Sequence, residues 1–494
     1  MSEQPSSYRQ ILRATSIIGV ASGVNIVFQI IRVKVLAVLL GPGGMGLFGM
    51  FQSMLTTATS LAGMGISSSA VRQIAEARSN GDEQRISEVV YVLRVLTIGL
   101  GALGAAAVFM LREPIAQWTF GDTSHAVLVG WLGIGVFVGV ASQSLSALLQ
   151  GYRRIGDQAR LQVWSGVLST VLAIGAIAWL GRDGIIIFVV AMPFIAMLLA
   201  WHYARQIGLT VKRVALQPFK AEARRLVSLG LMIMVAGALQ GWALLALRSH
   251  ITQTLGIDAT GLFQAAWALS FVYMGFVLDA MGKDYYPHLT EHVADKEKTV
   301  QLMQEQINVA LILIGPLVIG MIAFAPLIID LLYTRSFRDA IPVIQWMGIG
   351  NLLKVVTWPL GFILLIHTRK GLFIALEVIW VSVFLGVSWL LSGVFGLTAV
   401  GIGFVSAYLL NLMAIFVSCR KLTGFGFNQK NIRIILFYGA LAFISFFTAS
   451  YEIVMGYAVG TVALSVATWG SYKKIVEMIG EDPLRALFNR FYNR

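Results

Sequence analysis

The chain runs to 494 residues, 57% of them hydrophobic and only 12% charged, with a mean hydropathy of +0.78. No soluble fold hides that much apolar side chain, so lipid must solvate most of it, and the lack of short alternating segments leaves helices, not a β-barrel, to do the spanning. A net charge of +13 would speak for nucleic acid in a soluble protein, but loops of a membrane protein are rich in Lys and Arg for their own reasons, and the single cysteine, Cys419, excludes a disulfide framework or thiolate metal cluster.

At the N-terminus, MSEQPSSYRQILR leads into the first apolar window without a small-residue cleavage site, so the window reads as a retained helix and not a removed signal. That window, 14–40, sets Thr15, Ser22, Asn25, Gln29 and Arg32 within about a third of the circumference at ~100° per residue, while Lys34 points away. Windows at 46–71, 87–111, 125–150, 159–180 and 184–204 follow, with Arg94 a turn or two inside the third and Pro193 interrupting the sixth. A basic stretch, 205–225, separates them from 226–248, which ends on Arg248, and from 259–282, which carries Asp279 near one end. Pro316 and Pro326 interrupt 304–329. The tenth window, 341–366, holds Asn351, Lys354, Thr357 and Gly361 on one stripe, with Lys354 midway and Pro359 placed to kink it. Windows at 371–393, with Glu377 near one end, 396–419, 434–449 and 453–471 complete fourteen predicted helices.

The N-terminus and every second connection hold twenty-eight Lys and Arg, whereas the alternate connections hold four: Arg112, Arg182, Arg335 and Arg338. This asymmetry predicts that both termini are cytoplasmic, and it absorbs most of the net charge, which removes nucleic acid as a partner. A second regularity is an internal repeat. WLGIG at 131–135 returns as WMGIG at 346–350, and the same offset of 215 pairs GLF at 46–48 with 261–263, Glu76 with Glu291, Arg154 with Arg369, Gly181 with Gly396 and Arg205 with Arg420. An offset held across six helices, an even number, brings both copies into the membrane in the same direction, a parallel repeat of the kind transporters use. The expected division is an N-lobe at 1–206 (helices 1–6), a basic cytoplasmic linker at 207–225, a C-lobe at 226–420 (helices 7–12), and a C-terminal helix pair and cytoplasmic tail at 421–494.

Five cations remain inside the predicted spans: Arg32, Lys34, Arg94, Arg248 and Lys354. Even on a lenient scale each costs about 2.5–3.5 kcal/mol at the bilayer centre, and together they rival a protein's whole stability. Arg94 lies close enough to an interface to snorkel. The other four, with Asn25, Gln29 and Asn351 beside them, form the predicted substrate-binding set. A wet, positive chamber in lipid selects an anionic ligand, and cations on phosphate oxygens gain from the low dielectric. Helix–helix hydrogen bonding is the plainer use of such polar stripes. Among the few embedded acids, Asp279 and Glu377 are candidates for coupling to an ion gradient, with an interfacial salt bridge or helix cap as their plainer use. No metal or other cofactor is expected.

Four stretches then carry a resemblance. LLGPGGMGLFGMFQSM at 39–54 and GISSSAVRQIAEA at 65–77 resemble the first-to-second helix turn and second-helix exit of bacterial O-antigen translocases. DYYPHLTE at 284–291 and GNLLKVVTWPLGFILL at 350–365 resemble their eighth-helix exit and tenth helix. These are the Wzx-type polysaccharide flippases, in the polysaccharide transport family of the MOP superfamily, which also includes multidrug MATE exporters and peptidoglycan lipid flippases. The resemblance covers roughly residues 10–420. It implies an all-α, MATE/MOP-like membrane fold of two six-helix lobes about a cavity open alternately to each side. It also implies a substrate, undecaprenyl-diphosphate-linked oligosaccharide, moved from the cytoplasmic to the periplasmic leaflet of the inner membrane, with polysaccharide polymerase machinery as a partner. Lys34 matches a basic residue that such translocases carry before the GP turn, and Lys354 matches the lysine of their tenth helix; Arg32 and Arg248 rest on depth alone. Flipping needs no covalent chemistry, so an enzyme is not expected. Two alternatives differ in kind. A MATE-like multidrug/ion antiporter would need buried carboxylates for cationic drugs, where this interior is cation-rich. A membrane-embedded polysaccharide polymerase or ligase would need catalytic residues on large outer loops, and the longest, about 112–124, offers little beyond Arg112, Glu113, Asp122 and the adjoining His125.

Overall fold

The computed structural model of the chain describes residues 7–367 and 370–479, and every regular element among them is helical. In order these are α1 (Ser7–Gly63), α2 (Ile66–Ser79), α3 (Glu83–Met110), α4 (Arg112–Phe120), α5 (Ala126–Gly151), α6 (Ile155–Leu180), α7 (Gly184–Arg205), α8 (Leu216–Leu255), α9 (Ile257–Glu291), α10 (Lys296–Ala323), α11 (Ala325–Leu332), α12 (Ile341–Ile366), α13 (Lys370–Phe395), α14 (Thr398–Thr423), α15 (Gln429–Tyr451) and α16 (Ile453–Ile479). Ten segments among the described residues are long and apolar enough to cross a membrane, one of them, Ile155–Arg205, joining α6 and α7. Helices α8 and α9, 40 and 35 residues long, also exceed the ~20 residues that a span requires. The outward side chains agree: Trp179, Leu390 and Val394 stand 92%, 82% and 78% exposed, which only a lipid surrounding tolerates at this density. The chain is a multi-pass helical membrane protein.

Glycines with left-handed torsions place the breaks. The gap predicted between the first two windows falls at Gly41, φ +65°, followed by Pro42. Nothing lies within 4 Å of where a Cβ would stand there, so the torsion alone demands glycine. Its partner in the repeat, Gly256 at φ +89°, separates α8 from α9. The window expected over 46–71 is cut at Met64 and Gly65, both at positive φ, because the Gly65 backbone meets that of Gly230 on α8 too closely for any side chain. The repeat extends to helix boundaries: α5 and α12 begin at 126 and 341 and end at 151 and 366, while α6 and α13 run 155–180 and 370–395.

The chain forms two compact units, Met1–Gly261 with Leu332–Thr334, and Leu262–Leu331 with Arg335–Arg494. Within unit 1, α5 packs on α3 and α7, α6 on α1 and α7, and α8 along α1, α2 and α3. At one end Ile66, Ile74, Val89, Leu93 and Leu148 form a closed core, beside which Glu222 of α8, 2% exposed, receives the Arg85 guanidinium. Within unit 2, α12 and α13 pack on α14, and α10 on α12, α15 and α16. The trailing pair α15–α16 is anchored to α10 by polar contacts: Asn431 donates to the Gln304 carbonyl and to Asn308 Oδ1, both at 2.8 Å, and Ser471, hydrogen-bonded to Tyr438, donates to the Ile312 carbonyl at 2.7 Å.

Candidate functional site: two membrane pockets

Each unit encloses a pocket on a trio of its own helices. In unit 2 the trio is α12, α13 and α14. Lys354, Thr357 and Gly361 share one face of α12 by their i, i+3, i+7 spacing, Glu377 projects from α13, and Tyr408 and Asn411 from α14, around about 250 Å³. The Lys354 ammonium lies 3.8 Å from the centre of the Phe271 ring, a cation–π contact whose ring in turn stacks on Trp267 at 4.1 Å.

In unit 1 the trio is α5, α6 and α7, joined by both halves of α1. Arg32 comes from before the Gly41 break and Gln52, Thr56 and Thr59 from after it; Ser142 and Gln143 lie on α5, Gln162, Ser165 and Ser169 on α6, and Pro193 on α7, around about 360 Å³. Arg32 faces the Phe188 ring at 5.7 Å and donates to the Ser169 hydroxyl at 3.5 Å. None of the ion pairs among the described residues includes Arg32 or Lys354.

The other predicted residues are dispersed. Gln29 is half-buried one turn before Arg32 and is not part of the pocket lining, and the side chain of Asn25 lies outside the described residues. Lys34 donates to the Tyr333 carbonyl. Arg248, 5% exposed, donates to the Ser53 hydroxyl and so ties α8 to α1. Asn351 is fully buried and donates to the Ser270 carbonyl at 3.3 Å, linking α12 to α9. Glu377 shares the unit 2 pocket with Lys354; Asp279 on α9 is exposed, and its charge also acts on Lys354. Among the described residues no three His, Cys, Asp or Glu gather as metal ligands.

Sequence alone does not single out Gln52, Gln143 and Gln162 in unit 1 or Tyr408 and Asn411 in unit 2. Uncharged, they do not stand out among so many polar residues on apolar helices. The repeat was the available signal: Gln143 and Gln162 lie 215 residues before Trp358 and Glu377, which line the other pocket.

Each unit of this multi-pass helical protein thus carries a polar pocket with a cation in its lining. The fold matches an inward-facing multidrug resistance MATE family transporter of the MOP superfamily (TM-score 0.67, 17% identity, covering 81% of this chain and 94% of that one). It matches the lipid II flippase MurJ in an inward closed conformation equally well (TM-score 0.66, 11% identity, 93% and 99%). Residues 35–342 match the family described as "Polysaccharide biosynthesis protein", and the chain belongs to that family. It is similar to the lipid III flippase of Escherichia coli (strain K12), 24% identical over 349 residues that make up 70% of this chain and 82% of that protein. It is also similar to the lipopolysaccharide biosynthesis protein WzxC of the same organism, 21% identical over 452 residues, 90% and 86% of the two chains. The relatives named by activity are flippases and transporters, in keeping with a carrier and not an enzyme; the MATE likeness speaks for fold alone.

Proposed function

We propose that this protein is an inner-membrane flippase, with both termini cytoplasmic, that moves an undecaprenyl-diphosphate-linked oligosaccharide from the cytoplasmic to the periplasmic leaflet by alternating access. The observation that carries this reading is a cation, Arg32 or Lys354, that lines a polar membrane pocket of each unit and enters no ion pair among the described residues, in a chain related to a named lipid-linked flippase. A diphosphate is the ligand that repays such placement, since charge-assisted hydrogen bonds to its oxygens offset the desolvation of both partners. The polyprenyl tail stays in lipid throughout. Glu377 in the Lys354 pocket, and Asp279 within reach of the same charge, are the groups through which an ion gradient couples to this step. Polysaccharide polymerase machinery then receives the flipped lipid.

The test is complementation of a strain lacking its own flippase. At equal membrane expression, Lys354→Ala and Arg32→Ala should each lower surface polysaccharide about 10- to 100-fold, the worth of one hydrogen bond to a charged group. Wild-type levels from both variants would remove the assignment.

A further inference from the structure

The two pockets occupy corresponding places in the repeat. Subtracting the repeat offset of 215 from Lys354, Thr357, Trp358, Glu377, Tyr408 and Asn411 gives Gly139, Ser142, Gln143, Gln162, Pro193 and Ala196, and all six line the unit 1 pocket. At four of the six positions the ionisable or aromatic member belongs to unit 2 and the neutral or small one to unit 1, lysine against glycine, glutamate against glutamine, tryptophan against glutamine and tyrosine against proline; the other two pair threonine with serine and asparagine with alanine. The amide and hydroxyl groups of unit 1 come from α1, α5 and α6: Gln52, Thr59, Ser142, Gln143, Gln162 and Ser169.

Two of these groups lack partners. Gln52 Oε1 and Thr59 Oγ1 are buried in the lining with no hydrogen-bond partner, against one such atom, Asn411 Oδ1, in the lining of unit 2. An orphaned polar atom in a low-dielectric setting costs about as much as a lost hydrogen bond, so a pocket that keeps several amides is built for a ligand that satisfies them. Amides donate and accept at once, as sugar hydroxyls do, whereas a phosphate only accepts. The volume of about 360 Å³ falls in the ~300–1,000 Å³ range of small-molecule sites.

We propose that the unit 1 pocket is a saccharide subsite that hydrogen-bonds the sugar hydroxyls nearest the diphosphate, as the amide-rich counterpart of the lysine-bearing pocket of unit 2. The proposal rests on the flippase reading. Arg32, at the edge of the amide set and on a separate stretch of α1, would contact the phosphate at the junction with the first sugar.

The test uses the full-length protein in nanodiscs and two probes, bare undecaprenyl diphosphate and undecaprenyl diphosphate bearing one hexose or N-acetylhexosamine. The readout is the ratio of the two affinities. Wild type should prefer the glycosylated probe about 10-fold or more. Gln162→Leu should bring that ratio toward one, and Ser142→Ala, which removes a hydroxyl and almost no volume, should lower it about 5-fold, the worth of one neutral hydrogen bond. Lys354→Gln should weaken both probes by a common factor and keep the ratio. A wild-type ratio near one, or Gln162→Leu and Ser142→Ala proteins that keep the wild-type ratio, would overturn the saccharide subsite while leaving the flippase reading intact. Failure of wild type to bind either probe would overturn both.

Discussion

Units 1 and 2 build their pockets on matching trios of helices, α5–α6–α7 and α12–α13–α14, yet each draws its cation from a different source. Unit 2 carries Lys354 in the wall itself, on α12. In unit 1 the corresponding residue is Gly139, where a Cβ would come within 3.0 Å of Thr59, and the charge arrives instead as Arg32 from the first half of α1. Duplication preserved the cavity because helix length and register set it. Charge went wherever packing left room for a long side chain. The lesson is that backbone symmetry and chemical symmetry part company early, because a membrane penalises every surplus cation.

The strongest way to break this comparison is to force the two pockets to be alike. Gly139→Lys puts a long side chain against Thr59 and a second cation beside Arg32, so it should cost on the order of 3–6 kcal/mol. Thermal unfolding and size-exclusion yield in detergent would report it, and a normally folded, active Gly139→Lys protein would show that the pockets are interchangeable. A smaller effect is expected from moving unit 2 toward unit 1. Glu377→Gln installs the amide found at Gln162, and in proteoliposomes it should cut gradient-driven flipping about 10-fold while leaving the slow flipping without a gradient within about 2-fold, about half a kcal/mol. A full response to the gradient in Glu377→Gln would take ion coupling away from this residue. The least effect, and the one that sharpens the comparison, concerns the paired breaks Gly181 and Gly396, at φ +58° and +52° with open space around each. Alanine at either should cost about 1–2 kcal/mol from torsion alone, equally at both positions. A marked difference between the two melting shifts would show that the repeat is equivalent in sequence but not in strain.

Much of this architecture was legible beforehand because lipid enforces simple rules. The length of the apolar windows, the glycine–proline break at 41–42 and the constant offset between WLGIG and WMGIG led to the helices, the first kink and the duplication. Lys354 and Arg32 stood out for the cost of charge in hydrocarbon, and both line pockets. Periodicity is blind to what covers a polar face, however. Asn351 shares a stripe with Lys354 and yet spends its amide on the Ser270 carbonyl, and Arg248 packs against Ser53. The glutamines of unit 1 raise no alarm singly; only their convergence from α1, α5 and α6 makes a site, and convergence is a property of tertiary structure.

The left-handed residue at 41 has a mechanical corollary. The guanidinium of unit 1 hangs from one side of that joint and Gln52, Thr56 and Thr59 from the other, so the torsions of one residue set the span between charge and amides, while the bond from Arg32 to Ser169 ties the charge to α6. The lysine of unit 2 shares the single helix α12 with its neighbours Thr357 and Gly361, a helix that Pro359 interrupts without a left-handed residue. Charge and polar neighbours are thus joined through a backbone bend in one cradle and along a single helix in the other.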